Sequence, residues 1–309
     1  MPAGRGDGLP GTADSQGGPN IMQATSRIVL ASMAMLWAQS TSADAISGLV
    51  DFNTPTDLNR FNLAANSLVP DYFAAGGVGD SGSIGLSYDF NSACTLVYHE
   101  RSFSMSAPTD TLALSIMFRY NPNASLPGGI TSGNDKVAVH LFAEPIPDNQ
   151  YSTGFAVSYY EAPLASGEIV RSINVGSYVN SGGHYHDFPI DPLVDGNWYR
   201  LAATFSLADA AQHNHVDIAL EDFGTTGENL VDIEFQHSYT TNDELDLFVD
   251  AEAWAGFSTM LYDGAGADRA DNFAFLVVPE PATWSLLAVA MACLALRMKA
   301  GPRGRTMQG

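Results

Sequence analysis

Short runs of alternating hydrophobic and polar residues recur along the middle of the chain, separated by Gly, Asn, Asp or Pro. In the run 111–120, four apolar residues share one side of a strand, since side chains alternate between strand faces: Leu112, Leu114, Ile116 and Phe118. About a dozen such runs predict an all-β fold of two antiparallel sheets, a sandwich or jelly roll. Only 54–66 reads as either a short helix or a loop.

The beginning of the chain has a different pattern. Residues 1–21 are rich in Gly and Pro, which predicts a disordered extension or a misassigned start codon. From Met22 the chain has one positive charge, an apolar run and then small residues that end at Ala43-Asp44-Ala45. This is the order of a secretory signal peptide, so we predict a signal over 22–45, cleaved after Ala45. No internal repeat interrupts the remainder, and we predict one β-sandwich domain over 46–278.

The end of the chain carries a second apolar segment. Pro279, Glu280 and Pro281 follow the last predicted strand, and the prolines prevent that strand from continuing. An apolar run over 283–296 comes next, followed by basic residues. The run is shorter than the roughly 20 residues that cross a bilayer comfortably, although the basic flank is typical of a membrane anchor.

This order of Pro-Glu-Pro, apolar helix and basic end resembles the PEP-CTERM sorting signal of Gram-negative bacteria, here over 279–305. The resemblance implies that the chain uses the secretion machinery and is held briefly in the inner membrane. It also implies that a membrane-embedded exosortase removes the tail. The mature protein would then reach the cell surface or an extracellular polysaccharide matrix.

Two neighbouring runs suggest the type of sandwich. "NWYRLAATFSL" at 197–207 and "VDIALEDFG" at 216–224 resemble paired strands of concanavalin A-like and laminin-G-like domains. Together with the sorting signal, this resemblance implies a non-catalytic surface or matrix protein that could bind carbohydrate. A glycan-active enzyme on the same sandwich, a glycoside hydrolase or lyase, is the alternative.

The charge of the chain limits the partners that it can bind, and its cysteine content limits the disulfides that it can form. The chain has a net charge of −21, and between Ile46 and Glu280 there are 31 acidic but only seven basic residues. Such a surface repels nucleic acid. It suits divalent cations or neutral polymers as partners, or it serves only to keep the protein soluble. The two cysteines, Cys94 and Cys293, exclude a disulfide framework, and Cys94 is predicted to be a buried apolar residue.

One acidic run bears on the enzyme alternative. In "ELDLFVD", strand alternation would place Glu244, Asp246 and Asp250 on one face. Laminarinase-type hydrolases carry a similar Glu-x-Asp pattern with a second Glu as the acid/base. Here the position of that second Glu holds Phe248 or Val249, so the residue that protonates the leaving group is missing.

Two further patterns offer metal ligands. Asp263, Asp268, Asp271 and Asn272 supply hard oxygen ligands in a Gly-rich stretch. A jelly roll brings its first and last strands together, so Asp51 would join them. This set suits Ca²⁺, although turn chemistry would also use these residues. The histidines in "HYH" and "HNH" could supply zinc only if both pairs converged; otherwise they are ordinary loop residues: His184, His186, His213 and His215.

Aromatic residues provide the last candidate site. Tyr178 and Tyr185 flank a Gly-Gly pair, which favours an exposed loop where a sugar ring could stack on them. Trp198 is predicted to fill the core instead.

Overall fold

The computed structural model describes residues 46–85, 94–104, 111–121, 134–148, 154–166, 168–179, 182–206, 214–241, 245, 248, 251–259 and 269–278. Every described residue lies in one unit of the chain, Asp44–Gly309. The predicted signal peptide and C-terminal apolar helix lie outside the described residues. Within those residues no helix has the length and apolar character needed to span a bilayer.

The described residues form sixteen strands and two short 3₁₀ helices. The strands are β1 Ile46–Val50, β2 Phe61–Leu63, β3 Asp71–Phe73, β4 Ser83–Gly85, β5 Cys94–Tyr98, β6 Phe103–Ser104, β7 Thr111–Arg119, β8 Asn134–Phe142, β9 Gly154–Pro163, β10 Ile169–Val179, β11 Gly182–Pro189, β12 Trp198–Ser206, β13 His215–Asp222, β14 Asp232–Thr240, β15 Glu252–Thr259 and β16 Ala270–Val278. The helices are Pro55–Arg60 and Val78–Asp80. The segment 54–66, for which the sequence allowed either a short helix or a loop, therefore contains a 3₁₀ helix followed by β2.

Two antiparallel sheets contain all of these strands, which confirms the predicted all-β sandwich. The first sheet has the order β14-β13-β12-β7-β16-β4-β3, and β1 pairs with β16 beside that path. The second sheet has the order β11-β10-β9-β8-β15-β5-β2, and β6 pairs with β15. The first and last strands, β1 and β16, are direct neighbours, as the jelly-roll prediction required.

The core lies between the inner faces of the two sheets. The four alternating residues of β7 that define the predicted strand face are all buried there. Trp198 is buried, but outside the cluster between the sheets and beside Gly227. Phe118 stacks on Tyr159 of the opposite sheet at 5.7 Å between ring centroids. Each such fully buried large side chain stabilises the fold by about 1.5–3 kcal/mol, so the inner faces account for most of the packing energy.

Candidate functional site

The second sheet has a polar outer face. Alternate residues of its strands join the core, and the residues between them face away from it. The register aligns six of these outward positions in one row across six strands: Thr95, Ser258, Ala138, Ser158, Asn174 and Asp187. Five of the six carry a hydroxyl, amide or carboxylate, which distinguishes this face from the apolar inner one.

Glycines and aromatic residues occupy the two rows next to this polar row. The first contains Gly256, His140, Ala156, Gly176 and Tyr185. The second contains Trp254, Phe142, Gly154, Tyr178 and Gly183. The backbone positions of Tyr178 and Tyr185 are therefore on adjacent strands, one row apart, and each lies opposite a glycine.

Exposure along the polar row increases toward β11. Ser158 and Ser258 are buried, Asn174 is half-buried and Asp187 is exposed. The side chain of Asn174 is oriented by Ser172, whose hydroxyl donates to the Asn174 Oδ1 at 2.6 Å. Four positions share this outward surface near β11: Asn174, Asp187 and the backbone positions of Tyr178 and Tyr185. We call this set the β10–β11 face.

A buried Ser-His pair lies in the middle of the same sheet. The Nε2 atom of His140 is 2.7 Å from the Oγ atom of Ser258, and the imidazole stacks on Phe142. Burial lowers the pKa of His140 to about 3, so the ring is neutral at physiological pH. A nucleophilic serine must be reachable by its substrate, whereas His140 and Ser258 are only 3% and 2% exposed. We therefore interpret the pair as structural.

A buried carboxylate also sits at one end of the core. Glu161 follows the inward-facing residues of β9, and its Oε1 accepts hydrogen bonds from Tyr159 at 2.7 Å and Tyr120 at 3.0 Å. Arg171 donates to the same oxygen at 3.1 Å, and the Nζ atom of Lys136 lies 4.0 Å from Oε2. Burial and the charge of Glu161 raise the pKa of Tyr120 to about 12. The phenols therefore remain hydrogen-bond donors that hold the carboxylate in place.

The carboxylate of Asp271 anchors a loop near the beginning of β16. Its Oδ2 accepts hydrogen bonds from the Val78 N–H and the Ser81 hydroxyl, both at 2.9 Å. Its Oδ1 accepts the Asn272 N–H at 2.7 Å. Burial raises the pKa of Asp271 to about 7, and the nearby charge of Asp51 adds to the increase, against the effect of these hydrogen bonds.

The backbone around Asp271 is locally strained. Three residues other than glycine have positive φ angles in this region: Phe52 at 43°, Asp80 at 63° and Asn272 at 52°. The pairing of β16 with β7 also shifts register between Asp271 and Ala274. Such conformations cost of order 1–3 kcal/mol each and persist only where surrounding contacts fix them. At Asn272, the hydrogen bond from its N–H to Asp271 is such a contact.

Part of the predicted calcium ligand set is brought together. Asp51 and Asp271 are close enough to interact electrostatically, and Asn272 is adjacent, whereas Asp263 and Asp268 lie outside the described residues. The described part of the chain contains no group of three acidic, histidine or cysteine side chains positioned to hold a metal. A calcium ion here would need ligands from Asp263 and Asp268, so calcium stays a prediction.

The strand predicted over the "ELDLFVD" run begins later than expected. β15 starts at Glu252, while Leu245 and Phe248 are in a turn where the Phe248 N–H donates to the Leu245 carbonyl at 3.0 Å. Both side chains are buried three residues apart, a spacing that suits a turn and not a strand. Glu244, Asp246 and Asp250 lie outside the described residues. Their predicted alignment required a strand through Leu245 and Phe248, and these two residues are in a turn instead.

The remaining predictions concern histidine and cysteine. His186 packs its ring on Tyr239 at 4.8 Å between ring centroids, and His215 lies on β13. His213 and the side chain of His184 lie outside the part of the chain that the structure describes. Zinc coordination therefore stays a prediction. Cys94 is buried as predicted, and burial raises the pKa of its thiol.

Comparison with known proteins identifies a sorting motif at the C-terminal end of the chain. The family model described as the PEP-CTERM protein-sorting motif matches residues 277–299. Curated proteins gave no sequence match. The model of the PEP-CTERM motif covers the Pro279, Glu280 and Pro281 signature that the sequence indicated, together with the apolar run that follows it.

Solved structures with a similar architecture include plant lectins and a calreticulin domain. A peanut lectin bound to a 9mer peptide has 12% identity and a TM-score of 0.47, over 76% of this chain and 98% of the lectin. Lectin UEA-II with galactose gives the same values. The T. cruzi calreticulin globular domain has 10% identity and a TM-score of 0.46, over 82% and 94%. These similarities are too distant to support an inference about what this chain binds.

The sorting motif and the folded body are directly connected. β16 ends at Val278, and Pro279 of the motif is the next residue. A motif of this kind marks exported proteins that are processed at the membrane, with exosortase as the implied processing enzyme. This chain therefore is a β-sandwich protein that carries a C-terminal PEP-CTERM protein-sorting motif.

Proposed function

We propose that this chain is an exported, non-catalytic protein of the cell surface or extracellular matrix of a Gram-negative bacterium, and that it binds carbohydrate through the β10–β11 face. One observation carries the proposal: the strand register groups the positions of two tyrosines with the half-buried Asn174 and the exposed Asp187 on one outward sheet surface. After secretion and tail removal by exosortase, the β-sandwich would remain as the functional part, with extracellular polysaccharide as its ligand.

The residue types on this face suit a sugar. The C–H face of a pyranose ring packs on an aromatic ring, while its hydroxyls need donors and acceptors at the edge. Asn174 supplies both types of group, and the Asp187 carboxylate supplies acceptors. Gly176 and Gly183 lie opposite the tyrosine positions in the register, so no large side chain from these neighbours competes for space above the sheet.

The charge of the body favours a neutral or weakly charged polymer. The acidic excess between Ile46 and Glu280 repels polyanions, and the repulsion is strongest at low ionic strength. We expect neutral glycans to bind without a strong dependence on salt concentration, and nucleic acid not to bind.

Alanine substitutions at the two tyrosines test the proposal. We expect Tyr178→Ala and Tyr185→Ala each to weaken glycan binding about tenfold, since loss of one stacking surface removes about 1–2 kcal/mol. The measurement is a glycan array on the secreted chain, with and without chelator, followed by calorimetry on the glycan that binds best. Tyr160→Ala is the matched control because Tyr160 is half-buried on the same face of the sheet. It pairs with Ser172, at the end of β9 opposite to the end that pairs with Tyr178.

Three outcomes would contradict the proposal. Failure of the unsubstituted chain to retain any glycan would exclude carbohydrate binding but not export. Equal losses in the Tyr160 control would place binding elsewhere on the sandwich. Release of new reducing ends from a bound polysaccharide would favour the glycan-active enzyme instead.

A further inference from the structure

The sorting motif overlaps the folded sheet. The matched residues begin at Val277, whereas β16 continues to Val278. Val277 is buried and pairs with Leu112 of β7 on one side and with Ile46 of β1 on the other. The first residues of the motif are therefore fixed within the first sheet, and no linker separates β16 from Pro279.

Strand β1 covers one side of this end of β16. Residues 46–50 pair with residues 273–277, and in the described part of the chain β1 has no other strand partner. Gly48 lies opposite Phe275, and the Phe275 ring occupies the space where a Cβ atom of residue 48 would be. This contact requires glycine, so the attachment of β1 depends on one position that can be changed selectively.

Peptide processing enzymes commonly hold their substrate as an extended chain that pairs with the enzyme. A strand with partners on both sides has no free edge for such pairing. Residues before Pro279 become available only when β1 or the end of β16 opens locally, and such openings are populated according to their free energy. The predicted signal cleavage after Ala45 would make Ile46, the first residue of β1, the first residue of the processed chain.

We propose that β1 is a latch that regulates processing at the sorting motif. While β1 is paired with β16, the residues before Pro279 are held in the sheet and the membrane-embedded enzyme has restricted access to the motif. Processing is fast on chains whose β1 has not yet docked and slow on chains that have completed folding. This mechanism does not depend on what the β10–β11 face binds.

The test follows tail removal in the full-length chain, in cells that express the processing enzyme. A short Gly-Ser linker between Val278 and Pro279 separates the motif from the sheet, and we expect tail removal about tenfold faster, because cleavage of a transiently open segment follows its open population. Gly48→Val forces β1 away from Phe275 and should have a similar effect. Ser47→Val is the matched control, since Ser47 is exposed on the same strand.

Hydrogen exchange measured on the same chains provides an independent readout. Gly48→Val should accelerate exchange of the amides at 273–277, and the Ser47 control should not. Combining the linker with Gly48→Val should be no faster than the linker alone, because both changes act on one step. Equal processing of the unsubstituted and linker chains would overturn the proposal, as would faster exchange in Gly48→Val with unchanged processing. The linker lies outside the sheet, so this arm remains decisive even if Gly48→Val does not fold.

Discussion

Asp271→Asn should remove one contribution to the stability of the unsubstituted chain, a contribution that is lost between about pH 4 and pH 7. Burial raises the pKa of Asp271 from 3.8 to about 7, so over this range the folded state retains a proton that the unfolded state has released. The contribution of Asp271 is fully present below pH 4 and is lost as pH rises through 7. The loss amounts to about 4 kcal/mol, at about 1.4 kcal/mol for each pKa unit.

The measurement is the free energy of unfolding by denaturant at a series of pH values. Asn cannot ionise, so the difference between the two chains should change with pH even if the amide fits less well beside the Asn272 N–H. Ser81→Ala is the control: it removes one donor to the carboxylate but leaves the group titratable, so the pH-dependent contribution of Asp271 should persist. A parallel pH dependence in Asp271→Asn and the unsubstituted chain would contradict the assignment.

Calcium can be tested on the same variant. If Asp51, Asp271 and Asn272 complete a site with Asp263 and Asp268, calcium should raise the melting temperature of the unsubstituted chain, and a chelator should reverse the effect. Asp271→Asn should lose this stabilisation. An equal calcium response in both chains, or none in either, would reject the calcium site and leave the pH prediction unaffected.

His140→Gln should remove an acid-sensitive part of the stability. Burial lowers the pKa of His140 from 6.5 to about 3, so below pH 6.5 the unfolded state binds a proton that the folded state excludes. The stabilising contribution is present above pH 6.5 and is lost as pH falls toward 3, with a total of about 3–5 kcal/mol. This slope is opposite in sign to that of Asp271, and the single variants are needed to separate the two.

The measurement is again the unfolding free energy against pH, between pH 7 and pH 3. Ser258→Ala is the matched control because it removes the partner at 2.7 Å without removing the titrating ring, so the acid-sensitive part should remain. Loss of the acid-sensitive part in Ser258→Ala, or its persistence in His140→Gln, would show that His140 is not its source.

The sequence predicted strands correctly where apolar and polar residues alternate clearly along the chain. The inward residues of β7 and the pairing of β1 with β16 followed from that alternation and from jelly-roll topology, and both are confirmed. The predicted strand through Leu245 and Phe248 was wrong, because these two buried residues are three positions apart and a strand alternates every two. Spacing of this kind suits a turn, and the pattern should have ended the predicted strand there.

The buried polar groups were missed for a physical reason. Glu161 occupies an inward position after Phe155, Val157 and Tyr159, so an acid in the apolar register was the available signal. His140 and Ser258 face away from the core, and nothing local in the sequence indicates that this surface is buried. Their hydrogen bond joins residues that are distant in the chain, and single-sequence patterns carry no information about such pairs.

The proposed binding face is tested most directly by a footprint of its ligand. Hydrogen exchange should be compared for the secreted chain with and without the extracellular polysaccharide of the producing cells. Carbohydrate binding at the β10–β11 face predicts slower exchange of amides at 174–187, with the other strands unchanged. Protection confined to a different part of the sandwich, or no protection at saturating polysaccharide, would contradict the account.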